Sequence, residues 1–307
     1  MRPIGATDML PGGVMQGKVC LVTGSTRGIG LATADALAAR GATVLLHGRN
    51  GVLGQQVRDD LTARYPAASI ELYIADLAVQ AEVRRLADEV RANHKRLDVL
   101  INNAGAFFMR RTTTADGIEA TFQVNHLSYF QLTNELLSVI TASAPARIIN
   151  LASEAHERVT DPEDWESRKG YNGITAYSRS KLANVMFTYD LAHRIEGSGV
   201  TVNCVHPGRV KTRLLQAWFD RWWSRWAWPI AERFLITPEE GAAAVVYLAT
   251  SLDVAGVTGK YFKQQRPSTS SLVSHDAVIG ARLWNISLRM TGELPEITIT
   301  GEIIAAP

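Results

Sequence analysis

Residues 19–30 read Val-Cys-Leu-Val-Thr-Gly-Ser-Thr-Arg-Gly-Ile-Gly, and an alanine-rich stretch with helical periodicity follows from Leu31 to Arg40. Val19 to Val22 form an unbroken apolar run, the pattern of a strand buried on both faces of a parallel sheet. Glycines at 24, 28 and 30 then turn the chain into the helix. At such a junction backbone N–H groups point outward at the positive end of the helix dipole. Missing Cβ atoms let a pyrophosphate reach the backbone. A glycine triplet alone would serve equally as a tight turn. With a strand before it and a helix after it, the stretch reads as the dinucleotide-binding turn of an α/β protein.

Working outward, apolar runs near 18–23, 43–47, 69–74, 97–101, 146–151, 200–205 and 259–262 predict seven strands. Helical patterns near 28–40, 52–64, 79–93, 115–140, 175–197 and 238–250 alternate with them. That alternation predicts one doubly wound domain over 1–307, with a mainly parallel seven-stranded sheet and helices on both faces. Three parts lie outside it: an N-terminal extension at 1–16, the segment 208–236, and a C-terminal tail at 265–307 with a helix predicted over 275–290.

The chain has 307 residues, 46% of them hydrophobic, and a formal net charge of +2, too small to argue for nucleic acid. Cys20 and Cys204 fall in predicted buried strands far apart, as small core hydrophobes in a reducing compartment would. Met1 to Gln16 carry no basic-then-apolar signal pattern, and no run of 18 apolar residues occurs. The expectation is a cytoplasmic protein.

In doubly wound sheets ligands bind beyond the carboxyl ends of the strands. Asp76 follows the third predicted strand, Asn102-Asn103-Ala104-Gly105 the fourth, Ser153 the fifth and His206-Pro207-Gly208 the sixth. Tyr177 and Lys181 stand one turn apart on a predicted helix, on the same face. A phenol is a poor base at neutral pH, but a cation one turn away stabilises its phenolate. The spacing alone would also suit an exposed Tyr–Lys pair.

Thr23-Gly24-x-x-x-Gly28-Ile29-Gly30, Asn102-Asn103-Ala104-Gly105, Ser153, Tyr177-x-x-x-Lys181 and Pro207-Gly208 occur in the order seen in short-chain dehydrogenases/reductases. The chain resembles that family, with its Rossmann-type fold, over roughly 18–262. Val124-Asn125-His126-Leu127, Leu151 to His156 and Gly259-Lys260-Tyr261-Phe262 resemble its retinol-dehydrogenase-like branch. The resemblance implies that Tyr177 is the general acid/base, that Ser153 orients the substrate oxygen, and that Lys181 binds the nicotinamide ribose. Asn125 then matches a helix-kink asparagine whose backbone holds a water. The implied cofactor set is Gly24, Ser25, Thr26, Arg27, Gly28, Ile29, Gly30, Asp76, Leu77, Asn103, Ala104, Gly105, Tyr177, Lys181, Pro207, Gly208, Val210 and Thr212, with no metal.

Cofactor choice turns on His47-Gly48-Arg49-Asn50. An NAD-preferring site usually places an acid about 20 residues past the glycine turn. No acid occurs between 42 and 58; Arg49 stands there instead, and Arg27 lies inside the turn. A guanidinium fork suits a ribose 2′-phosphate, which favours NADP(H), with NAD(H) as the second choice.

Five of the seven tryptophans lie between Trp218 and Trp228. Apolar positions at 215, 218, 219, 222, 223 and 226 fit one helical face. Its open destinations are a substrate lid over 208–236, a peripheral membrane contact through 214–236, a partner subunit as in a homo-oligomer, and core packing. These features predict an NADP(H)-dependent oxidoreductase interconverting a carbonyl and an alcohol on a largely apolar small molecule. The alternative is a catalytically silent nucleotide-binding regulatory or scaffold protein of the same fold.

Overall fold

The computed structural model describes residues 15–211 and 235–292. Its eight strands are β1 (Val19–Val22), β2 (Thr43–Gly48), β3 (Ile70–Ile74), β4 (Val99–Asn102), β5 (Ala146–Leu151), β6 (Val200–His206), β7 (Lys260–Lys263) and β8 (Arg266–Ser268). They form one sheet in the order β3-β2-β1-β4-β5-β6-β7-β8. Seven strands are parallel, and β8 pairs antiparallel with β7. The expected seven-stranded sheet thus gains an edge strand. Its three residues, Arg-Pro-Ser, are too few and too polar to show a period of two.

Alternation in the short strands sorts side chains between two layers. Cys20 and Val22 of β1 pack with Ala34 and Leu37 of α1 (Gly28–Ala38), Val57 and Leu61 of α2 (Gly51–Arg64), and Val245 and Leu248 of the helix Pro238–Thr250. Leu21 faces the other way, toward Val83, Leu86 and Val90 of α3 (Gln80–Asn93) and side chains from the helices that follow.

The helix expected over 115–140 is broken. A single turn, α4 (Ala120–Phe122), runs into a π-helical turn at Gln123–Leu127, where the Ser128 N–H bonds Gln123 O, and then into α5 (Ser128–Ala142). A π turn inserts one residue and re-aims the side chains within it, Asn125 among them. The long α6 (Gly173–Arg194) is capped by Asn172, whose side chain accepts from Ile174 N and Thr175 N.

The helix Pro238–Thr250 is α7, with Thr237 and Glu240 forming a reciprocal capping box. Beyond β8 the chain forms α8 (Ala277–Thr291), which lies on the main body rather than away from it. Trp284 packs against Phe130 of α5 and Phe187 of α6, ring centroids 4.9 Å and 5.9 Å away, with Arg194 Cζ 4.0 Å from its ring centroid. Burying such an indole contributes about 2–3 kcal/mol. Most of 208–236, namely 212–234 with Thr212 and the tryptophan-rich face, lies outside the described residues. Residues 1–14 and 293–307 do so as well.

Candidate active site

Strand order reverses between β1 and β4, so the glycine turn after β1 and Asn103-Ala104-Gly105 after β4 lie side by side. Gly24 has φ +66°, and a Cβ there would stand 2.9 Å from Ala104 Cα. A Cβ on Gly30 would collide with Asn103 Nδ2 and Gly24 O. Thr23 and Asn103 lace the turn to β4. The N–H groups of Asn103 and Ala104 donate to Thr23 Oγ1 at 2.8 Å and 3.0 Å, and Asn103 Nδ2 donates to Thr23 O at 2.7 Å. The result is a tight turn in which the glycine backbone packs against Asn103 and Ala104, with no room for a Cβ at Gly24 or Gly30, a shape that fits a dinucleotide pyrophosphate. Asn103, expected as a cofactor contact, has its side chain engaged in building that turn.

Around the turn stand the other expected residues. Arg27 at the start of α1 and Arg49 just after β2 are exposed. A Cβ on Gly48 would meet Thr26 Cγ2 at 2.6 Å, so the turn and the end of β2, next in sequence to Arg27 and Arg49, touch. Asp76 Oδ1 accepts from Ala78 N at 3.0 Å, and the buried Leu77 offers its carbonyl to Gln123 Nε2 at 3.1 Å. Past β6, Gly208 has φ +103°, and Val210 forms a parallel bridge with Ile236.

The structure brings Ser153, Tyr177 and Lys181 together at the ends of β5 and α6. Tyr177 is buried, and the Ser153 hydroxyl hydrogen-bonds it. Burial pushes the phenol up to about 12, with the Ser153 bond acting the other way. Burial likewise pulls Lys181 down to about 7. Lys181 Nζ donates to Leu151 O at 2.8 Å and lies 5.5 Å and 5.8 Å from the ring centroids of Tyr129 and Tyr177. The expected lowering of the phenol by its neighbouring cation is therefore not what governs Tyr177 here. Removal from water is the largest influence on both groups, raising the phenol and lowering the ammonium.

Asn125 sits in the π turn with its side chain fully engaged. Its Oδ1 accepts from Ala106 N at 2.7 Å, while Nδ2 reaches Ala106 O and Ser180 Oγ, each at 3.0 Å. Ser180 Oγ in turn donates to Tyr177 O at 2.7 Å. Phe107, unread in the sequence because an apolar loop residue carries no periodicity, stands edge-on to Tyr177 with centroids 6.1 Å apart. Beyond Ser153, Glu154 lies 3.6 Å from His206 Nε2 and 3.3 Å from Lys263 Nζ.

Comparisons with known proteins agree with this geometry. Residues 18–222 match the short chain dehydrogenase family. Retinol dehydrogenase 14 of Mus musculus is 40% identical over 294 residues, covering 92% of this chain and 88% of that protein. Retinol dehydrogenase 13 of Homo sapiens is 38% identical over 288 residues, covering 92% and 87%. Among solved structures, a Pseudomonas aeruginosa RhlG/NADP active-site complex superposes with a TM-score of 0.66 at 30% identity, over 81% of this chain and 95% of that one.

Proposed function

Because the chain belongs to the short-chain dehydrogenase family and is an NAD(P)-dependent dehydrogenase/reductase acting on CH–OH and C=O groups, we propose that it prefers NADP(H), takes a largely apolar substrate and works in the cytoplasm. The observation that carries the cofactor reading is that Arg27 and Arg49, both exposed, adjoin in sequence the touching residues Thr26 and Gly48, with no acid between 42 and 58. A guanidinium fork there binds a 2′-phosphate and offers nothing specific to a 2′-hydroxyl. The NADP in the Pseudomonas aeruginosa complex supports the same choice. The apolar substrate rests on the Phe107 ring beside Tyr177, and the alcohol in the relatives' names is itself apolar. For the cytoplasm, Cys20 and Cys204 are both free and buried, and among the described residues no helix is long and apolar enough to cross a membrane.

The residues from Gly24 to Gly30, with Arg49, Asp76, Leu77, Asn103, Ala104, Gly105, Pro207, Gly208 and Val210, would hold the cofactor. When bound, that group supplies or accepts the hydride at the substrate carbon. The chain's own part is at oxygen. Tyr177 gives its hydroxyl proton to the substrate oxygen during reduction and takes one back during oxidation. Ser153 donates a hydrogen bond to the same oxygen and fixes its position. Lys181, anchored on Leu151 O, holds the nicotinamide ribose, and Asn125 keeps α6 and the loop after β4 in register. A silent scaffold has no use for these four groups held together.

Aldehydes, ketones and alcohols of graded chain length, assayed with NADPH/NADP+ and NADH/NAD+ by reduced-nicotinamide absorbance, test the reading. Higher kcat/KM with the phosphorylated cofactor and rising kcat/KM with apolar length are expected. Equal use of both cofactors, or activity confined to small polar substrates, would overturn it.

A further inference from the structure

His47, the last side chain before Gly48 on β2, is 3% exposed and makes an unusual set of bonds for a strand residue. Its Nδ1 accepts from Gly24 N at 3.1 Å, and its Nε2 lies 3.1 Å from Ala75 O. A carbonyl only accepts, so Nε2 carries the proton and Nδ1 is the bare acceptor. The backbone of the same residue exchanges bonds with the next turn residue. His47 N donates to Ser25 Oγ at 2.9 Å, and Ser25 N donates to His47 O at 2.9 Å.

One uncharged imidazole therefore joins two walls of the cofactor groove that belong to different elements. The first wall is the glycine turn after β1. The second is the end of β3, where Ala75 precedes Asp76 and Leu77. Nothing else among the described side chains bonds both. We propose that His47 is a positioning residue for the adenosine diphosphate half of the cofactor, fixing the gap between the glycine turn and Asp76-Leu77 through its Gly24 and Ala75 hydrogen bonds. Its action is on the cradle, so it serves NADP+ and NAD+ alike, unlike Arg49, which would sense only the 2′-phosphate.

The test is a set of three variants titrated with NADP+ and NAD+ by quenching of tryptophan fluorescence, with folding followed by circular dichroism. His47→Leu removes both side-chain bonds. His47→Asn places an acceptor at the depth of Nδ1 and restores the Gly24 bond alone, whereas His47→Gln reaches only toward Ala75. His47→Leu is expected to raise the Kd of both cofactors by about 10-fold or more, by the same factor for each, because a buried N–H loses its acceptor. His47→Asn should recover most of that loss. At saturating cofactor, kcat and substrate KM should stay within about 3-fold of wild type. A folded His47→Leu with unchanged Kd, or one whose kcat and substrate KM suffer as much as its Kd, would overturn the proposal. If His47→Leu does not fold, the remaining pair decides: Asn binding cofactor more tightly than Gln supports the assignment, and Gln equalling or exceeding Asn refutes it.

Discussion

The carboxamide of Asn125 pairs with the peptide of Ala106 twice, its Oδ1 accepting from the N–H and its Nδ2 donating to the C=O. Two residues on, the Tyr171 hydroxyl donates to Phe108 O at 2.8 Å. Phe107 stands between these two fastenings with its ring against Tyr177. An amide on a π turn thus fastens the loop that sets an aromatic ring against the Tyr177 phenol, and the Ser180 bond from the same amide ties that loop to α6.

Removing that amide should therefore affect both shape and stability. Asn125→Ala leaves the N–H and C=O of Ala106 without their amide partner and takes from Ser180 one of its two hydrogen bonds, at a cost of about 1–3 kcal/mol for each group left unpaired. A lower denaturation midpoint and a fall in turnover of about 10-fold or more are expected, with cofactor Kd little changed. Turnover at the wild-type level would show that the loop after β4 holds its place unaided.

Tyr177→Phe keeps the ring and its contact with Phe107 but removes the exchangeable proton. Turnover should fall by about 100-fold or more while cofactor still binds. Single-turnover assays and cofactor titration separate the two. Residual activity near wild type would assign proton transfer to another group.

Arg49→Ala bears on cofactor choice. A charged hydrogen bond to phosphate contributes about 1.5–3 kcal/mol, and about 1.4 kcal/mol is tenfold in affinity. NADPH binding should weaken by about 10- to 100-fold while NADH binding holds. Equal losses would make Arg49 a structural residue.

Two fully buried imidazoles predict how stability depends on pH. Burial pulls His47 down to about 4, with the Ala75 carbonyl and the Asp76 charge acting the other way; burial pulls His126 down to about 3. Both are free to take a proton near 6.5 once unfolded, so protons bind the unfolded state first. Stability is then complete above pH 6.5 and is lost as pH falls below it, by about 2 kcal/mol per imidazole at pH 5. Denaturant midpoints between pH 7.5 and 5 should show this slope, and His126→Asn should lessen it while the His47 share remains. A flat profile in the wild type would mean that His47 and His126 take up protons as readily folded as unfolded.

Much of this was legible before any coordinates. Val19 to Val22, Leu45 and Leu46, and Ile148 and Ile149 announce buried strands because a parallel sheet covers both faces of each. Gly24, Gly28 and Gly30 announce a cradle because only backbone can line it. Ser153, Tyr177 and Lys181 could be found by their places after a strand and along one helix turn. The π turn was hidden, since Gln123 to Leu127 have ordinary helical residues and the extra residue is set by Asn125 reaching Ala106 and Ser180. Strand β8 was hidden by its shortness. His47 read as one more strand residue because its partners, Gly24 and Ala75, are backbone groups distant in sequence. The burial of Lys181 was hidden as well, because spacing along a helix says nothing about how far water is excluded.

Trp284 has a consequence for how the chain is made. The layer it completes begins with Leu21 of β1 and includes Phe130 and Phe187, so side chains at opposite ends of the sequence share one interior. His126, in the π turn beside Asn125, also meets Ser287 Oγ of α8 at 2.9 Å. On the ribosome, β1 to β6 emerge long before α8, and the surface Trp284 will cover is then bare. Until synthesis reaches that helix the nascent chain carries an open apolar face, the interval in which it most needs a chaperone.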